Sequence, residues 1–302
     1  MRNKSESYKK YLDPSVVSSL SSLELKAKSV VEGFMVGLHK SPYHGFSVEF
    51  SEHRPYMQGD PIKNIDWKVF GKSEKYFIKQ FEEETNLISN IILDNSGSMD
   101  YKHEGSITKL EYGKILAASF AHILLMQQDS VGLSVYSDKI EKYFPPKSSR
   151  VYLKTLFEGL ENIVPQKKTN TAAALNELAE KIKRRGLVIV ISDFFDSVES
   201  VMGALKHFHY KKNEIIIFQI LDPVEINFAF KKDSVFIDKE TGEEISTQPL
   251  QIRKAYNTAL TDFLSEIKSG CQNYRIDYNL IDTSTGFDKA LLAFFKKRSR
   301  LN

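Results

Sequence analysis

The stretch that most constrains how this chain can fold is NLISNIILDNSGSMD, residues 86–100, where an apolar run stops at an aspartate and gives way to small polar residues. Ile88, Ile91, Ile92 and Leu93 are too few and too β-branched to make a helix of their own, so the run reads as a buried strand with Asp94 at its carboxyl end. Asp94, Ser96 and Ser98 then form a D-x-S-x-S pattern, and a tight turn helped by Gly97 would aim one carboxylate and two hydroxyls at a common point. Such hard oxygen ligands suit Mg²⁺, Mn²⁺ or Ca²⁺ rather than zinc or copper. Asp and Ser also dominate ordinary turns, so the pattern gains weight only from its context.

That context is a recurrence. KKTNTAAAL, with Thr169 and Thr171, opens a helix, and GLVIVISDFFD is a second buried strand ending in Asp193. SVGLSVYSD, EIIIFQILD and RIDYNLID read as further strands, with helices expected over about 108–127, 151–160, 198–209 and 252–269 and in the carboxyl-terminal FDKALLAFFKKRSR. KIEKYFPPKS reads as a hairpin return, an antiparallel edge on an otherwise parallel sheet. The helix in ALNELAEKIKRRG is expected to end on Gly186 as its C′ residue, and a hairpin over 235–245 to turn at Thr241-Gly242. Strand, acidic or hydroxyl loop, helix, repeated along a chain, is how an open α/β sheet builds a site at the carboxyl ends of its strands. The expected fold class is therefore α/β, a doubly wound, mostly parallel sheet with an antiparallel edge strand.

Ahead of it, residues 1–36 read as helical, with Ser21 or Ser22 as cap and Leu23, Leu25, Val30, Val31 and Phe34 as an apolar face. Residues 37–84 carry Gly and Pro punctuation and short alternating runs, hence short strands and turns. The expected organisation is an amino-terminal helix and β-rich segment, 1–85, packed on a main domain, 86–302.

The ordered set Asp94, Ser96, Ser98, Thr169 and Asp193 resembles the metal-ion-dependent adhesion site of the von Willebrand factor A domain, and by that resemblance these five occupy the metal positions. Arg54, Tyr56, Gly59, Asp60, Ile65, Asp66 and Trp67, preceded by Gly45, Glu49 and Phe50, resemble the bacterial family known as domain of unknown function fifty-eight. In that family such a block stands before a von Willebrand factor A domain, and members are associated with MoxR-type AAA+ ATPases. Two departures stand out. Lys63 replaces a more usual Arg, keeping charge but losing the planar fork, and Gly71-Lys72 replaces Ala-Arg. Glycines usual in the threonine loop are replaced by Lys167 and Lys168, whose ammonium groups would weaken a nearby cation modestly.

The rest of the composition mainly excludes. A net charge of +3 is too mild to argue for nucleic acid, and the basic pairs near 181–185, 211–212, 231–232 and in KKRSR read as solvated surface and helix-dipole complements. One cysteine, Cys271, rules out an intrachain disulfide and a cysteine zinc cluster. His39, His44 and His53 match no ligand spacing and read as surface or structural, and His103 as a solvated loop residue. Arg54, Asp60 and Asp66 read as a structural ion-pair and turn network, and Trp67 as its buried anchor. Phe194 and Phe195 read equally as core or as a partner contact. With no signal peptide and no apolar run of the ~20 residues a span needs, the expected location is the cytoplasm, without direct membrane insertion.

The leading functional expectation is a non-enzymatic interaction module. Its site cation, Mg²⁺ first and Mn²⁺ or Ca²⁺ next, would receive a partner's carboxylate, and the resemblance implies a MoxR-type ATPase or its client as partner, with no small-molecule substrate. The rival is a Mg²⁺-dependent phosphatase using Asp94 as nucleophile, but the position two residues on holds Ser96 where a second carboxylate would be needed. A metal-independent scaffold is the third possibility.

Overall fold

The structure, a computed structural model, describes residues 9–39, 53–56, 67–73, 75–79, 87–103, 107–166, 170–230, 234–237 and 242–299. The amino-terminal part contributes α1 (Pro14–Ser18), α2 (Leu23–His39), β1 (His53–Pro55), α3 (Trp67–Ser73) and β2 (Phe77–Lys79). Then come β3 (Ile88–Asp94), α4 (Lys109–Met126), β4 (Ser130–Tyr136), β5 (Ile140–Lys147), α5 (Tyr152–Glu161), α6 (Thr171–Lys181), β6 (Leu187–Ser192), α7 (Val198–Tyr210) and β7 (Glu214–Leu221). The chain closes with α8 (Pro223–Asn227), the hairpin β8 (Ser234–Ile237) and β9 (Glu244–Thr247), α9 (Pro249–Asn273), β10 (Asp277–Asp282) and α10 (Phe287–Arg298).

Six strands form the central sheet in the order β10-β7-β6-β3-β4-β5. Every pairing is parallel except β4 with β5, which is antiparallel. Counted along the chain this is the order 3-2-1-4-5-6 of a doubly wound sheet, whose direction reverses between β3 and β6. Side-chain alternation sorts the strands into two cores. Ile91, Leu93, Ile189, Ile191, Ile216 and Phe218 face α2, α4, α5 and α10, whereas Ile92, Val188, Val190, Ile215 and Ile217 face α6, α7 and α9. Burial on both faces is why β6 is a continuous apolar run and β7 nearly one, whereas the edge strand β5 is half-buried only at alternate residues.

The helices and strands expected over 86–302 are in place, with Thr108 capping α4 by accepting Glu111 N–H at 3.1 Å; residues 67–73 form the helix α3 where short strands and turns are expected, and Phe46, Val48, Phe50 and Thr241 lie outside the described residues. Gly186 is a correction: α6 ends at Lys181, with Ile182 extended behind it, and Gly186 has another task. A Cβ there would stand 2.0 Å from the Ile88 carbonyl oxygen, so a side chain would push β6 away from β3.

α2 lies on α4 and α10. Lys26 Nζ bonds Glu111 Oε1 at 2.7 Å and Phe34 stacks on Phe295 at 5.4 Å. Of the expected apolar face of α2, Leu23, Val30, Val31 and Phe34 are buried and Leu25 turns outward. Trp67 is a second correction: it is 58 % exposed, edge-on to Phe70, while Phe70 stacks on Tyr76. Asp60, Asp66 and His44 lie outside the described residues, so the expected network and histidine trio are not visible as sets.

The carboxyl-terminal basic residues are a third correction. Lys297 bonds Glu214 and Asp277 at 2.7 Å each, and Arg298 bonds buried Asp129, so α10 is tied to the sheet by ion pairs instead of facing solvent. Cys271 is a packed thiol, pushed up to about 12 by burial. No helix among the described residues is long and apolar enough to cross a membrane.

Candidate metal centre

The carboxyl ends of β3 and β6 meet at the reversal of strand order, where open α/β sheets bind ligands. Register sets Leu93 opposite Ile191, which brings Asp94 beside Ser192. Ser192 Oγ donates to Asp94 Oδ2 at 2.6 Å, and Tyr136 OH reaches the same oxygen at 3.3 Å. Asp94 Oδ1 accepts the Ser96 N–H at 2.8 Å, the local turn that D-x-S favours. The chain then winds through a short 3₁₀ turn, Gly97–Asp100, which sets Ser98 Oγ 3.1 Å from Ser96 Oγ. Three of the five expected ligand residues therefore gather at one point.

The fourth, Asp193, lies on the same rim and is already engaged. Its Oδ2 bonds Lys109 Nζ at 2.8 Å, its Oδ1 accepts Phe195 N–H at 3.2 Å, and its carbonyl accepts Gln219 Nε2 at 2.7 Å. Thr169, the fifth, lies outside the described residues. Its flanks are pinned nearby: Gln166 N–H donates to Asn95 O at 2.9 Å, Asn170 N–H to Ser137 O at 3.3 Å, and Thr171 N–H to Asp196 Oδ2 at 3.1 Å. Phe194 takes a left-handed backbone, φ 55°, held by its buried ring and by its N–H donating to Ser192 Oγ at 2.8 Å. Of the two adjacent aromatics Phe194 is thus core, whereas Phe195 is 40 % exposed and stacks on Phe263. His103 is exposed in the adjoining loop, its N–H donating to Asp222 Oδ2 at 3.2 Å.

Lys109 is the residue that sequence reasoning missed. It is fully buried, and besides Asp193 it bonds Glu225 Oε1 at 2.7 Å, with the Tyr101 and Phe195 rings 5.8 and 5.0 Å from its ammonium. Glu225 in turn closes a capping box with Asp222 at the start of α8. A signal was present, because Lys109, Tyr112, Gly113 and Leu116 share the i, i+3, i+4, i+7 face that α4 turns inward.

Burial, and then the Asp193 carboxylate, push Asp94 up to about 7 against the pull of the Ser192 and Ser96 bonds. Burial alone would lower Lys109, but Asp193 and Glu225 outweigh it and hold the ammonium above its ordinary value. Burial raises Glu225, with Lys109 opposing. Among the described residues no group of three or more His, Cys, Asp or Glu side chains could hold a metal ion, so a cation here would rest on hydroxyl oxygens and Asp94. Asp94 has only neutral donors around it, and the gathered oxygens are hard ligands; this donor set fits Mg²⁺ or a similar ion.

Comparison with known proteins places this geometry in a family. Uncharacterized protein Rv1480 of Mycobacterium tuberculosis (strain ATCC 25618 / H37Rv) is 24% identical over 243 residues, covering 78% of this chain and 75% of that protein. Uncharacterized protein Mb1516 of Mycobacterium bovis is similar to the same degree and extent. Among solved structures, the conserved hypothetical protein BatB from Bacteroides thetaiotaomicron is 18% identical with a TM-score of 0.43, covering 70% of this chain and 99% of that one. The SpRpn10 VWA domain is 14% identical with a TM-score of 0.39, covering 69% and 94%. These overlaps are loose, and the fold assignment rests on the strand order. The family described as "Protein of unknown function DUF58" matches residues 52–264, most of the chain, and the chain belongs to it.

Proposed function

We propose that this chain is a non-enzymatic protein-interaction module whose cation site takes a carboxylate from a partner protein. Asp94, Ser96 and Ser98 would hold the ion together with Thr169. The observation that carries this reading is the gathering, at the reversal of strand order, of the Asp94 carboxylate, bonded by the Ser96 N–H, and the Ser96 and Ser98 hydroxyls, 3.1 Å from each other. A divalent ion bound there supplies positive charge that so few anionic ligands neutralise poorly, and hence an attraction for an external carboxylate. Asp193 would act as a supporting charge instead of a direct ligand, because the Lys109 ammonium on its Oδ2 would repel an ion placed there. The partner proposed is a MoxR-type AAA+ ATPase or its client, on the strength of the sequence block at Arg54–Trp67.

The phosphatase reading loses support from the setting of Asp94, which is 1 % exposed and hydrogen-bonded on both oxygens, a poor nucleophile. Lys109 favours a second reading, a metal-independent docking surface, since it already supplies Asp193 with a cation. Calorimetric titration of the full chain with Mg²⁺ and Mn²⁺ tests the choice. Saturable binding lost in Asp94→Ala is expected; absence of binding by the unmodified chain would overturn the cation mechanism and leave the scaffold. Capture of the ATPase with and without chelator then tests the partner.

A further inference from the structure

At the opposite end of the sheet from Asp94 there is a pocket of about 370 Å³, near the lower end of the ~300–1,000 Å³ typical of small-molecule sites. Asn90, Ser130, Tyr143, Lys181, Lys183 and Arg184 line it, and no carboxylate does among the described residues. Lys181 is shared with Glu177 at 3.1 Å, whereas Lys183 and Arg184 are exposed and make no ion pair with any described residue. Two uncommitted cations beside a concave site match the roughly −2 charge of a phosphate monoester better than the single charge of a carboxylate. Arg184 adds a planar fork suited to two phosphate oxygens.

The inner wall carries the second observation. Asn90 is only 2 % exposed, and its Nδ2 has no hydrogen-bond partner, an expensive state for a buried donor. In register opposite it stands Gly132, where a Cβ would lie 3.0 Å from Asn90 Oδ1 and from Pro146 Cδ. The missing side chain is what leaves the amide its space. Turning that amide by 180° exchanges its oxygen and nitrogen with almost no change of shape, so it can present a donor to the pocket.

We infer that this pocket binds a small phosphate-bearing ligand, held by Lys183 and Arg184 at the rim and by the Asn90 amide at the wall. The site is independent of the cation centre, and the ligand is not a substrate of it. The test is calorimetry on the full chain in chelator, so that no divalent ion takes part, with pyrophosphate and AMP as probes. Saturable binding at millimolar concentration or tighter is expected for at least one probe, unchanged in Asp94→Ala. The double variant Lys183→Glu/Arg184→Glu, both exposed positions, should weaken it about tenfold or more, ~1.4 kcal/mol. Asn90→Leu, nearly isosteric and without the stranded donor, should fold cooperatively and weaken it severalfold. No saturable binding of either probe would overturn the inference, as would equal affinity in the double variant or in Asn90→Leu. Flotation with phosphatidic acid vesicles separates the source: retention on vesicles without binding of the free probes would also overturn it.

Discussion

The two ends of the central sheet handle charge in opposite ways. At the amino ends of the strands the buried and half-buried charges close on each other: Asp129 with Arg298 and the Leu87 N–H, and Lys297 with Glu214 and Asp277. At the carboxyl ends Asp94, Asp193 and Glu225 share one ammonium, Lys109, and that ammonium reaches only the last two. The first arrangement fastens α10 to the sheet, with each of these buried or half-buried charges paired. The second leaves Asp94 buried among neutral donors, a place where an added cation would relieve repulsion as well as make bonds.

The sharpest way to break this comparison is to remove the cation at each end. Lys109→Met strands Asp193 and Glu225, and Arg298→Met strands Asp129; breaking a buried pair costs about 3–5 kcal/mol. Urea unfolding in chelator should show losses of that order in both. Added Mg²⁺ should recover part of the loss in Lys109→Met and none in Arg298→Met. Equal recovery in the two, or none in either, would mean that the carboxyl end is no more receptive to a cation than the amino end.

A smaller effect follows from pH at the amino end. Burial, opposed by Arg298 and the Leu87 N–H, lifts Asp129 from 3.8 to about 6 in the folded chain. A carboxyl raised on folding favours the folded state most when protonated. Its contribution is therefore fullest below about pH 3.8 and is lost as pH rises to about 6, after which it is flat. Measured as the difference in unfolding free energy between the unmodified chain and Asp129→Asn, the decline should be on the order of 1–3 kcal/mol across that window. A difference that rises with pH instead would show that Arg298 dominates burial there.

How far these ends were legible in the sequence depends on the range of the interactions. The sheet was legible because strands buried on both faces, β6 above all, are apolar runs, and β5 was legible as an edge because it follows β4 as a hairpin return. Asp94, Ser96 and Ser98 were legible because their convergence is a local turn. Lys109 with Glu225 was not, since 116 residues separate the partners and only the folded sheet brings them together. The same holds for Arg298 and Asp129, 169 apart, which made a terminal basic run look like surface. Gly186 was read rightly as a place only glycine fits but for the wrong cause: a helix end and a close backbone approach leave the same residue in the sequence. Trp67 misled because a large aromatic in a recognisable block suggests a core, whereas its indole is exposed and lies edge-on to Phe70.

The least effect separates closure from burial within the amino end itself. Lys297 has side-chain exposure of 7%, yet its partners Glu214 and Asp277 are 52% and 32% exposed, so water reaches both carboxylates when the ammonium is removed. Unlike Asp129, neither is stranded. Lys297→Met should thus cost no more than about 1 kcal/mol, in the range of exposed pairs, and the cost should shrink further at high salt. Chemical denaturation at low and high salt measures it. A loss as large as that of Arg298→Met, insensitive to salt, would mean that these two carboxylates depend on Lys297 for more than a screened attraction, and that α10 is held through Lys297 and Arg298 equally instead of chiefly through Asp129.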